Sequence, residues 1–189
     1  NTGDVIEAIR TWEEAKERAL FNESQKQLLK AGENDFSLHK ISDKEFQLQY
    51  YRKEIFTHEN RVLQPGQPHY SDWGFLCDSG DQSLYFRLQA MGQEGELTEI
   101  LLELDGSLSL HLPLTLKAGY SCIYDGKGKL LVYDERGSLS QQWEVDWKQV
   151  RLNKGSHVLR VSCSFEGGAD LKLQGVIKLK DKIEILAAP

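Results

Sequence analysis

The sequence predicts a mainly β protein: an antiparallel two-sheet β-sandwich of jelly-roll-like form, preceded by a short N-terminal helix-turn-helix. Three observations predict it. Over residues 117–139, KAGYSCIYDGKGKLLVYDERGSL, two apolar strand runs are separated by Asp125-Gly126 and closed by Arg136-Gly137, the pattern of a β-meander. From Phe75 onward, short apolar runs bounded by turn residues recur at a spacing of roughly 8–12 residues, as sandwiches and jelly rolls require. After Gly32 the apolar period drops from about 3.6 to 2, which marks a change from helix to strand.

In chain order, Val5, Ile6, Ile9, Trp12, Ala15 and Ala19 recur at helical steps with Glu7, Glu13, Glu14 and Glu17 between them. That is an amphipathic helix. Asn22 followed by Gln25 fits a capping box, Leu28 and Leu29 supply an apolar face, and Gly32 is placed to end a second helix. The expected division is therefore a helical segment over 1–33 and a β-domain over 34–189. Two short helices cannot bury Trp12 and the leucines against each other. Their apolar faces need either the β-domain or a domain lying upstream of Asn1.

Phe36 and Leu38 alternate, Ser42-Asp43-Lys44 turns, and Phe46, Leu48 and Tyr50 alternate again, predicting a hairpin that continues extended through Ile55 and Phe56. Residues 60–74, with Gln64-Pro65-Gly66-Gln67-Pro68 followed by His69 to Gly74, read as an irregular loop, because the prolines lack donors and fix φ. Strands are then expected at 75–77, 84–91, 99–104, 107–116, in the meander, and at 143–145, 150–152, 157–165 and 171–186.

Composition bounds the function. Hydrophobic residues make up 40% and charged residues 28%, ordinary values for a globular protein. With 23 basic against 29 acidic residues the net charge is −6 and no basic face is visible, so nucleic acid is not an expected partner. Apolar runs fall far short of the roughly 20 residues of a membrane-spanning helix, and no membrane insertion is expected. No leader pattern stands at Asn1-Thr2-Gly3; a removed leader and an upstream part of a longer protein are both open.

Cys77, Cys122 and Cys163 are widely spaced and form neither a metal pair nor an even disulfide framework, so they read as core thiols. His39, His58, His69, His111 and His157 lie one to a segment without zinc-site spacing and read as strand-surface or loop residues. No GxSxG turn marks a nucleophile, and Gly126-Lys127-Gly128-Lys129 lacks the spacing and following helix of a phosphate loop. No catalytic residue is therefore assigned. Asp78-Ser79-Gly80-Asp81 offers oxygen donors for a Ca²⁺ ion, but without an EF-hand pattern no cofactor is assigned.

Aromatics are the remaining signal. Tyr70 and Trp73 stand in the irregular loop, and Trp143 and Trp147 near a strand edge. A flat aromatic beside polar groups can stack on the C–H face of a sugar while the neighbours bond its hydroxyls. Gln67, Tyr70, Asp72 and Trp73 form such a set and are the expected ligand-binding residues. The alternative for Trp73 is that it plugs the end of the core, with 64–68 as its lid.

Three pieces carry a family resemblance: Ile9-Arg10-Thr11-Trp12-Glu13-Glu14-Ala15, Leu63 to Pro68 with Asp72-Trp73 after it, and Ala118-Gly119-Tyr120 with Tyr124-Asp125-Gly126. On these the chain resembles the C-terminal accessory β-sandwich of secreted or periplasmic glycoside-hydrolase-like proteins from gut polysaccharide-degrading bacteria. The resemblance implies a non-catalytic module that binds carbohydrate or supports an upstream catalytic domain, in a secreted or periplasmic setting. Two alternatives remain: a structural domain docking to a partner through its helices, and a free-standing glycan-processing enzyme.

Overall fold

The computed structural model describes residues 36–42, 44–147 and 150–187, and among these every regular element is a β-strand. The helix-turn-helix expected over 1–33 lies outside the described residues. The chain divides into two compact units, one running to Arg52 and resuming at Lys180, the other Lys53–Leu179. Two long strands, β2 (Glu45–Glu59) and β14 (Lys172–Ala187), pass from one unit into the other.

In the first unit, β1 (Phe36–Lys40) pairs antiparallel with β2, Leu38 opposite Leu48, as the alternation predicts. The turn closes when the Ile41 and Ser42 amides donate to the Glu45 carbonyl at 3.0 and 3.2 Å. Phe46 and Leu48 are buried. Buried beside them, Gln49 satisfies its amide by donating to the Tyr50 carbonyl at 2.8 Å and the Asp181 carbonyl at 3.1 Å, which removes the cost of an orphaned polar group.

The second unit contains β3 (Ser71–Cys77), β4 (Gln82–Ser83), β5 (Phe86–Met91), β6 (Glu96–Leu104), β7 (Leu108–His111) and β8 (Leu116–Lys117). It continues with β9 (Ser121–Tyr124), β10 (Lys129–Tyr133), β11 (Leu139–Glu144), β12 (Arg151–Leu152) and β13 (Gly155–Glu166). One sheet has the order β1-β2-β14-β5-β9-β10-β11; another runs β3-β13-β6-β7 with β8 also on β6; β12 and β4 form a small third sheet. All the pairings described are antiparallel.

Alternation decides what is buried. Phe86, Leu88 and Ala90 on β5, Cys122 and Tyr124 on β9, and Leu130 and Val132 on β10 share one core with Phe75 and Cys77 on β3, Leu102 and Leu104 on β6, and Leu159 and Val161 on β13. Two sheets thus close over a common apolar layer, in a sandwich-like arrangement. Each fully buried leucine contributes about 1.5–3 kcal/mol, so the inward set, rather than any single polar contact, holds the unit together.

The meander is as expected, and its two turns share one construction. Asp125 Oδ1 accepts the amides of Lys127 and Lys129 at 2.7 and 3.0 Å, and Asp134 Oδ1 accepts those of Arg136 and Ser138, both at 2.9 Å. Gly126 (φ 76°) and Gly137 (φ 78°) supply the left-handed residues these turns require.

The structure corrects three boundaries. The loop expected over 60–74 ends at Tyr70, because Trp73, Phe75 and Cys77 alternate inward and draw Ser71 to Cys77 into a ladder with β13. The strand expected over 107–116 is interrupted between β7 and β8, although Leu110, Leu112, Leu114 and Leu116 all remain buried. The strand expected at 143–145 runs Leu139–Glu144, exposed along its whole length.

Candidate functional site

The expected ligand-binding residues are only partly brought together. Residues 64–67 form a turn in which the Gln67 amide donates to the Gln64 carbonyl at 3.0 Å, while Gln67 Oε1 accepts the Gln64 amide at 2.9 Å. Gln67 thus stabilises its own loop. Arg61 donates to the Pro68 and Tyr70 carbonyls at 3.0 and 3.1 Å, fixing the rest.

Tyr70 and Asp72 do meet, through Arg160. The guanidinium lies 3.6 Å from the Tyr70 ring centroid and forks onto both Asp72 oxygens at 2.8 and 3.0 Å. Asp72 and Arg160 are register partners on β3 and β13, so sheet pairing itself aligns the fork. The hydrogen bond from Arg160 holds the Asp72 carboxyl below its ordinary range. Trp73 is next in the strand and turns the other way. It is half-buried against the core, 5.0 Å from the Phe75 ring and 5.7 Å from Phe56.

The histidines divide. His39, His69 and His111 are exposed as expected, whereas His58 is only 3% exposed. Its Nδ1 stands 2.6 Å from Ser71 Oγ and its ring stacks on Phe165. Burial, and then the Arg61 and His69 charges, lower its pKa and keep it neutral. A small cavity of about 180 Å³ opens beside it, lined also by His69 and Cys163. Burial pushes the Cys122 and Cys163 thiols up to about 12, as inert core thiols require, and among the described residues none of the three cysteines is disulfide-bonded to another.

Asp81, expected among the oxygen donors, instead accepts from Arg151 Nε at 2.9 Å. Among the described residues no group of three or more His, Cys, Asp or Glu is placed to hold a metal ion.

Larger concave surfaces lie elsewhere. Glu99 adopts φ 49° within β6, and the ladder to β13 shifts register between Ser162 and Ser164, the signature of a bulge. On the other side of β6, the Leu112 amide still bonds the Ile100 carbonyl, and pairing resumes only at Leu116 with Leu97. Pro113, Leu114 and Thr115 stand opposite Thr98 and Glu99, and a hollow of about 590 Å³ forms there, reaching Gln141 and Trp143 of β11.

A second hollow of about 830 Å³ shares Glu96 and Lys117 with the first and extends to Glu94, Tyr120, Glu135 and Glu166. The two hollows, which share this Glu96 and Lys117 border within the second unit, are together called the groove. Glu96 and Lys117 are register partners in its middle. Thr98 Oγ1 donates to Glu166 Oε1 at 3.3 Å and Ser164 Oγ to Glu99 Oε2 at 3.2 Å, which orients two of the carboxylates. Trp143, 37% exposed, donates from Nε1 to Gln141 Oε1 at 3.2 Å. An indole ring, carboxylates, an amide and an ammonium along one depression can stack on and hydrogen-bond a polyhydroxylated ligand.

Sequence reasoning marked Trp143 as an edge aromatic but not the carboxylates. They are a few of 29 acids, and only the fold decides which converge. Compared with known proteins, the chain matches no family model, no curated protein and no solved structure.

Proposed function

We propose that this chain is a non-catalytic accessory module that binds carbohydrate along the groove between Trp143 and Tyr120, or supports a neighbouring carbohydrate-active domain. The observation that carries the reading is the groove itself: a solvent-open depression with an exposed indole at one end and oriented carboxylates along its length. The resemblance to accessory domains of secreted or periplasmic glycoside-hydrolase-like proteins supports the same class of ligand. So does the nested pairing of β2 with β14, β3 with β13, and β4 with β12, which favours a jelly-roll-like winding.

Tyr70 and Asp72 form a second candidate contact, at the β3 edge of the sheet that also carries β6 and β13. The Arg160 fork already engages both Asp72 oxygens and one side of the Tyr70 ring, so fewer groups are left there for a ligand than in the groove.

Calorimetric titration with oligosaccharides of several linkages tests the proposal. Trp143→Ala should weaken binding about tenfold or more, as truncation of an aromatic anchor does, while Tyr70→Ala leaves it unchanged. The reverse pattern moves the site to β3. Absence of binding across the panel overturns the glycan reading, and appearance of shortened products replaces it with that of a processing enzyme.

A further inference from the structure

Charge along the groove says more about its ligand. Five carboxylates line it, those of Glu94, Glu96, Glu99, Glu135 and Glu166, against the single ammonium of Lys117. Among the described residues none of the five forms an ion pair within 4.0 Å; the partners named for Glu99 and Glu166 are hydroxyls, which orient a carboxylate without cancelling its charge. Away from the depression, Asp72 and Asp81 are each matched by an arginine. Along the depression, acidic side chains outnumber the ammonium five to one.

A concave surface lined by one sign of charge focuses its field, and the attraction or repulsion it exerts extends over about 8 Å at physiological salt. We propose that the groove sorts glycans by charge: it admits uncharged and amine-bearing sugars, prefers the amine-bearing ones, and excludes carboxylated or sulfated chains. The inference rests on the carbohydrate reading above and adds the ligand class. An ammonium group on a sugar ring stacked at Trp143 would find carboxylates within the same depression, whereas a uronate would meet like charge with one lysine to answer it.

The test is titration of the full chain at about pH 6, where a sugar amine is protonated. Four matched oligomers are compared: a neutral glucan, N-acetylated glucosamine, deacetylated glucosamine and galacturonate. At low salt the deacetylated oligomer should bind about tenfold tighter than its acetylated twin, converging at high salt as screening sets in. Neutral binding should be insensitive to salt, and galacturonate should not bind. The variant Glu94→Gln with Glu135→Gln should shrink the ratio of deacetylated to acetylated affinity by more than it weakens binding of the neutral oligomer.

Galacturonate binding as tight as the neutral oligomer, or no salt-dependent gain from the amine, overturns the charge inference while leaving the carbohydrate reading in place. No binding by any of the four overturns both.

Discussion

His157 is held in a way that only its charged form satisfies. Its Nδ1 lies 2.7 Å from Asp105 Oδ2 and its Nε2 2.6 Å from the Asn153 carbonyl, so both ring nitrogens face acceptors. Neutral imidazole has one N–H and must leave one of those acceptors facing a lone pair. The Phe75 ring stacks on the imidazole, and Asp105 Oδ1 also accepts the Val158 amide at 2.8 Å, which fixes the carboxylate. Burial pulls the pKa of His157 down, but the Asn153 carbonyl and the Asp105 carboxylate outweigh it, and the net shift is upward from 6.5. A raised folded-state value stabilises the fold fully below the unfolded value and loses that contribution as pH rises through the folded one. His157→Gln should therefore cost roughly 1 kcal/mol at about pH 6 and distinctly less at about pH 9, read as the difference between urea unfolding curves of the two proteins. A gap that widens with pH would show that the imidazole is neutral in this clasp. None of this was legible in the sequence, because Asp105 and His157 are 52 positions apart and only the β6–β13 ladder makes them neighbours.

Strands were more legible than their surroundings. The meander could be read because Cys122, Tyr124, Leu130 and Val132 alternate and turn residues stand between them, all local signals. Start of β3 at Ser71 was hidden because Pro, Gly and polar residues precede Trp73, and what recruits it is the remote partner β13. Close approach between β2 and β14 was equally invisible. A Cβ placed on Gly175 of β14 would run into the Phe56 ring, so that ring of β2 occupies the space that any other side chain would fill. Both atoms belong to the second unit, and Phe56 in turn packs 5.7 Å from Trp73. Gly175→Ala should destabilise by about 1–3 kcal/mol through overpacking. Combining it with Phe56→Leu should cost less than the two single changes added, since the smaller side chain relieves the clash. Additive losses in a thermal unfolding cycle would mean that Phe56 is not what excludes a side chain there.

Topology also orders how the fold is reached. In the meander the Asp125 carboxylate closes a turn onto an amide only 4 positions away, whereas the Asp72–Arg160 fork joins β3 and β13 across 88 positions. Loop-closure entropy grows with the logarithm of that separation, so the long pairing costs roughly 2–3 kcal/mol more to initiate than the short one. The groove inherits the same dependence: Glu96 sits on β6, Lys117 on β8, Trp143 on β11 and Glu166 at the end of β13, and none is near the others until the sheets close. That is why the sequence could suggest aromatic ligand contacts yet name no neighbours for Trp143. Chains dominated by such remote pairings fold in milliseconds to seconds, with local hairpins able to form first. Pulsed hydrogen exchange during refolding should accordingly show amides of β9 and β10, such as Ile123 and Leu131, protected before those of β3 and β13, such as Leu76 and Val158. Protection of all four in a single phase would mean that the meander has no stability until the remote strands close over it.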